Sequence, residues 1–188
     1  MDRERMHAVR LPAAWLVCFF TLIIAGCGRS PSRPEHVSFD DIIICADNSL
    51  RTLAGFAPGQ DPSKVGRYFP KSASAETLRK PVTIAGRAGE ITLFIEGKTV
   101  SQVTVSFTAP VSDTRFEPFV KRLLEAVAKK KPTYNARDTQ EDDAGKVVVT
   151  TLTYSDTGGV LTVTHGIANE SEQFITLSLG AQNQSPVK

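Results

Sequence analysis

Histidine is almost missing from this chain, with three in 188 residues, and beyond residue 36 only His165 remains. Metal centres and acid–base pairs need convergent partners, so imidazole chemistry has little to work with. The sequence also lacks a Gly-x-Ser-x-Gly turn, a phosphate-cradling glycine loop and a histidine pair at metal spacing. These absences point away from an enzyme, and no cofactor is expected. Cysteine is sparse too, with Cys18, Cys27 and Cys45 the full set. No apolar run approaches the roughly 20 residues of a membrane helix; the longest greasy stretch, residues 13–26, has 14. A net charge of +2 gives no electrostatic reason to expect nucleic acid or a strongly acidic partner.

The short run is informative for what surrounds it. Arg3, Arg5 and Arg10 precede it, and it closes on Leu22-Ile23-Ile24-Ala25-Gly26-Cys27. A basic start, a short apolar middle and a small-residue exit read as a targeting segment rather than as fold. With the cysteine directly after Ala25-Gly26, the pattern resembles the lipobox of bacterial lipoprotein signal peptides. The resemblance covers about the first 27 residues. It implies a leader over 1–26, cleavage before Cys27 and acylation of the Cys27 sulfur, with permanent attachment to the membrane. An ordinary cleaved signal peptide and an uncleaved anchor are the competing readings. Cys18 has no small residues before it and is the poorer acylation site. With Gly28 and not aspartate after the cysteine, the resemblance further implies an outer-membrane location facing the periplasm.

Cys45 is then alone and has no internal disulfide partner. Within Ile42-Ile43-Ile44-Cys45-Ala46 it reads as a small buried hydrophobe, since no basic neighbour is there to activate a thiolate. Residues 27–37, with Pro31, Pro34 and His36, read as the lipidated cysteine and a flexible tether.

Ser38-x-x-Asp41 has capping-box spacing, and Phe39, Ile42, Ile43, Ala46, Leu50, Leu53 and Ala54 recur at helical intervals before Gly55. The spacing favours a helix, with a strand over 39–46 as the alternative because three isoleucines in a row are β-branched. Asp61-Pro62 reads as N-cap and first helical residue of a short helix near 62–68, followed by a polar loop over 70–81. From residue 82 the period becomes two. Val82 opens a short strand; Ile91, Leu93 and Ile95 share one face, and Val103, Val105 and Phe107 share the next. A second helix follows, with Phe116, Phe119, Val120, Leu123, Leu124 and Val127 on one stripe. Its lysine-rich end, 129–131, suits the negative helix terminus better than lipid headgroups. Residues 133–145 read as loop. Glu141-Asp142-Asp143 lack the alternating spacing of a calcium loop and fit a solvated turn. Three more strands carry Val148, Leu152 and Tyr154, then Leu161, Val163, His165 and Ile167, then Ile175, Leu177 and Leu179. His165 reads as a hydrogen-bonded residue at a strand end.

The expected class is α+β, antiparallel sheet with helices packed on one face, in the order α-α-βββ-α-βββ. The domain spans 38–180, as one six-stranded sheet or as two α-βββ halves, 38–109 and 110–180, with a polar tail over 181–188. The stretch from Asp61 to Gly66 ahead of the 91–107 hairpin resembles small outer-membrane lipoproteins of the β-barrel assembly machinery over under a third of the chain. The doubled helix-and-sheet layout is also similar to periplasmic inhibitor proteins; neither likeness carries over a binding residue. The expected function is a lipid-anchored, non-catalytic interaction or assembly module whose partner is an envelope protein. The alternative is a carrier of a small apolar ligand or lipid, in a cavity lined by Phe107, Phe116, Phe119 and Phe174.

Overall fold

The computed structural model describes residues 35–46, 49–70, 76–130 and 132–181. They are mostly antiparallel β-sheet with few helices. In chain order the elements are β1 (Glu35–Val37), β2 (Ile43–Ala46), β3 (Ser49–Leu53), α1 (Pro62–Val65), a 3-10 turn (Gly66–Tyr68), β4 (Thr77–Ile84), β5 (Arg87–Glu96), β6 (Thr99–Pro110), α2 (Phe116–Lys129), β7 (Tyr134–Glu141), β8 (Val147–Asp156), β9 (Gly159–Ile167) and β10 (Glu172–Gly180). This replaces the expected α-α-βββ-α-βββ order.

One eight-stranded sheet runs β1-β4-β5-β6-β10-β9-β8-β7, with β1 parallel to β4 and every other pair antiparallel. β4, β5 and β6 form a meander, and β7 to β10 form a second that folds back until β10 lies beside β6. That seam, Val103 opposite Leu179 and Phe107 opposite Ile175, joins the two trios expected from the sequence into one sheet. β6 and β7 run the same way with three strands between them, a geometry no tight turn can close. The connection contains α2.

Strand alternation divides the sheet into two faces. Val103, Val105, Phe107, Leu161, Val163, Ile175, Leu177 and Leu179 point to one side and are at most 1% exposed. α2 packs there, with the Phe119 ring 5.0 Å from that of Phe107. Phe116, Val120, Leu123, Ala126 and Val127 bury the rest of the stripe, while Leu124 stands on the rim, half-buried. Glu125 is exposed. Asp61 caps α1 as its sequence suggests, its Oδ1 accepting the Ser63 N–H at 2.9 Å.

The helix expected over 38–54 is a turn followed by the β2–β3 hairpin, which forms its own two-stranded sheet and lies across the covered face. One capping-box bond forms, the Asp41 N–H donating to Ser38 Oγ at 3.2 Å, while the Asp41 carboxylate accepts from the Ser38 hydroxyl at 2.7 Å instead of from the backbone. They close a turn, and the β-branched Ile42-Ile43-Ile44 run then goes extended. The positive-φ signal of Gly55 is real but belongs to another motif. Ala54 (φ 50°) and Gly55 (φ 83°) form a two-residue hairpin loop, with Leu53 and Phe56 exchanging backbone hydrogen bonds of 2.8 and 3.0 Å.

Two stretches expected as loop are strand. β4 begins at Thr77, inside 70–81, and β7 occupies most of 133–145. β7 is exposed at all eight positions. With neither face covered it carries no apolar alternation, so periodicity had nothing to register. The end of the tether is strand as well, as β1 pairs with β4 through Glu35 to Val37.

Candidate functional site

A charge-rich cleft lies where the start of α2 meets the β4–β5 turn. Ala85 (φ 49°) and Gly86 (φ 81°) make that turn, and Arg87 is the first residue of β5 after it. Its guanidinium donates to Asp113 Oδ2 at 2.9 Å and lies 4.9 Å from the Phe116 ring centre and 5.3 Å from that of Phe119. Asp113 precedes α2 and turns its other oxygen to the Arg115 N–H at 3.0 Å. The Arg87 hydrogen bond and then the Arg115 N–H hold the Asp113 carboxyl below the ordinary carboxylate range. Nearly two turns into α2, Arg122 lies over Phe39 at 4.9 Å from the ring centre. These side chains bound an open cleft of about 520 Å³, walled on its apolar side by Phe39, Pro118 and Phe119.

A second cleft, about 390 Å³, flanks the other side of α2 between Phe116, Val120 and Leu124 and the ends of β9 and β10. His165 lines it, half-buried, and its ring makes no hydrogen bond to another described residue, in contrast to the expected hydrogen-bonded histidine. Burial first, and the Arg137 charge second, hold its pKa below the ordinary value.

Cys27 lies outside the described residues, as does the side chain of His36. Cys45 is half-buried on β2, and burial raises its thiol pKa, reinforced by Asp156 and opposed by Lys130. That favours an inert thiol. Asp142 is a turn residue, its Oδ1 accepting the N–H groups of Ala144 and Lys146 at 3.0 and 2.9 Å. Among the described residues no three or more His, Cys, Asp or Glu side chains gather as a metal site.

Of the four phenylalanines expected to line one cavity, Phe116 and Phe174 line the 390 Å³ cleft and Phe119 the 520 Å³ cleft. Phe107, Phe116 and Phe119 pack on one another with ring centres 5.0 and 6.0 Å apart. Phe174, paired with Thr108 and Gly166, alternates away from the covered face yet borders the 390 Å³ cleft at the β10 end. The arginine cleft escaped sequence reasoning, because Arg87 and Asp113 are 26 residues apart and meet only once the β5–β6 hairpin and α2 are in place. The one local hint was Asp113-x-Arg115 ahead of an amphipathic run.

No family model, curated protein or solved structure matches the chain. Among the described residues no helix is long and apolar enough to cross a membrane.

Proposed function

We propose that this chain is a bacterial envelope lipoprotein, acylated at Cys27 and held at the outer membrane facing the periplasm, that acts without catalysis by docking a partner protein. The leader pattern through Cys27 supports the anchoring, and Cys27→Ser is expected to leave the chain unprocessed or unanchored on fractionation. The observation that carries the docking role is β7. It is an eight-residue edge strand exposed throughout, and its outer edge has no strand neighbour among the described residues. Backbone donors and acceptors along a sheet edge are a template for an extended segment of another chain. The register shifts at Tyr134/Ala136 and Gln140/Glu141 leave the stretch between them in regular pairing with β8, enough for a short added strand. The occupant is therefore an extended peptide of an envelope protein.

The test is site-specific photocrosslinking in intact cells from Asp138 on β7, with the exposed Glu125 on α2 as control. A discrete hetero-adduct from Asp138, absent from Glu125, supports the reading. An adduct at twice the chain mass, or equal capture from both positions, sinks it. The second reading, carriage of a small apolar ligand, draws on the largely apolar 390 Å³ cleft beside Leu124 and predicts ligand co-purifying with the chain instead.

A further inference from the structure

We propose that the cleft between the β4–β5 turn and the start of α2 binds a dianionic phosphate group carried on a molecule with an apolar portion. The charge count comes first. Three guanidinium groups, Arg87, Arg115 and Arg122, line the cleft against the single carboxylate of Asp113. Both oxygens of that carboxylate are engaged, Oδ2 by Arg87 and Oδ1 by the Arg115 N–H with the Arg115 Nε at 3.6 Å. One carboxylate offsets one guanidinium, which leaves a surplus of two positive charges, the complement of a phosphate monoester.

The donors are also held in place. Arg87 is 18% exposed, clamped between the Asp113 carboxylate and the Phe116 and Phe119 rings. Arg122 rests on Phe39 and makes no ion pair with a described residue, so its planar fork of N–H groups is free to meet oxygens. Arg87 and Asp113 pair with each other, whereas the contact of Arg122 with the Phe39 ring leaves its N–H groups without an acceptor among the described residues. Pro118 has no N–H in the first turn of α2, so the guanidinium groups rather than helix amides are the principal donors. The helix dipole adds a favourable field at the same end.

Size and wall chemistry set the rest of the ligand. A volume of about 520 Å³ lies within the range of small-molecule sites. Phe39, Pro118, Phe119 and Ala88 offer an apolar wall that a bare ion would leave wet. The phosphate has two possible sources, a free phosphorylated small molecule or the headgroup of an anionic lipid.

The experiment uses the full chain in a neutral detergent and follows the thermal midpoint. Phenyl phosphate serves as the free probe, and dihexanoyl phosphatidic acid, a phosphate monoester, against dihexanoyl phosphatidylcholine as the lipid probe. A saturable rise with phenyl phosphate is expected, at least tenfold weaker in apparent affinity for Arg122→Ala and lost in Arg115→Ala/Arg122→Ala. Both side chains are exposed, but Arg122 rests on Phe39 and Arg115 pairs with Asp113, so the rise of each variant is read against its own unliganded midpoint. A rise with phosphatidic acid alone, equally lost in the double variant, supports the same site with a headgroup occupant. No rise with either probe, or a rise that survives in the double variant, overturns the proposal.

Discussion

The two faces of the eight-stranded sheet are written on the same strands in different chemistry. On the covered face, Leu177 of β10 sits between Val105 and Val163, all three without exposure. One residue away, Thr176 lies between Ser106 and Thr164 on a face that no helix or hairpin covers among the described residues. There the hydroxyls serve one another: Thr104 and Ser178 are 3.1 Å apart and Thr151 and Thr164 are 3.2 Å apart, each pair directly cross-strand. Threonine keeps the β-branched stiffness of a strand former without an apolar surface that must be hidden. The difference teaches where the fold's free energy resides. Burial on one face stabilises the sheet, and the other face and the β7 edge are left free of that duty.

The largest expected effect is therefore between neighbours. Leu177→Ala should cost about 2–5 kcal/mol, the usual cost of opening a cavity in a packed core. Thr176→Ala should stay within about 0.5 kcal/mol, as for surface positions away from special features. Paired denaturant titrations read both. Equal shifts would mean that the hydroxyl face is also packed against something, and the comparison would fail.

A middle effect tests how the covering is fastened. Asp156 ends β8, and its Oδ2 accepts the Leu50 N–H of the β2–β3 hairpin at 2.7 Å, while Oδ1 accepts the Gly158 N–H at 2.8 Å. Leu50 is 1% exposed. Asp156→Ala leaves a buried donor without an acceptor, which costs about 1–3 kcal/mol. Asp156→Asn keeps an acceptor oxygen and should lose less. The approach is close as well: a Cβ on Gly158 would stand 2.0 Å from the Leu50 carbonyl oxygen. Hydrogen exchange should show faster opening of residues 49–53 in Asp156→Ala, with β9 and β10 protected as before. Uniform loss of protection would mean that the hairpin and sheet open as one unit.

What could be read from sequence follows the same division. α2 and strands β5, β6, β8, β9 and β10 each bury one face, so each carries the period of its own geometry, and those periods were readable. The β2–β3 hairpin was misread because Ile42, Ile43, Leu50 and Leu53 bury themselves from two short paired strands whose spacing coincides with a helical stripe. A packing partner decided between the two, and residue order alone does not name it. β7 buries nothing, and its Tyr134–Glu141 sequence could not announce a strand. The arginine cleft needed three segments brought together. The reading of Cys27 as a lipidation site rests on a local targeting pattern, in residues outside those the structure describes.

The smallest effect asks how far the covered face reaches. His165 is near the end of β9, in register with Thr150 and Ile175. Lys121 and Glu117 of α2 line the same cleft, and Arg137 approaches from β7. Burial, followed by the Arg137 charge, lowers its folded pKa, whereas in the unfolded chain it returns to about 6.5. The unfolded state then takes up a proton at a pH where the folded state does not. Stability from the neutral ring is complete above that unfolded value and is lost as pH falls through the folded one. His165→Gln cannot titrate there. The stability of wild type relative to the variant should therefore fall between pH 7.5 and pH 5, while carboxylates common to both chains cancel in the difference. The ring is only half-buried, so this loss should be smaller than either of the other two. A difference that does not move with pH would place the imidazole in solvent, and the covered face would then end before the last residues of β9.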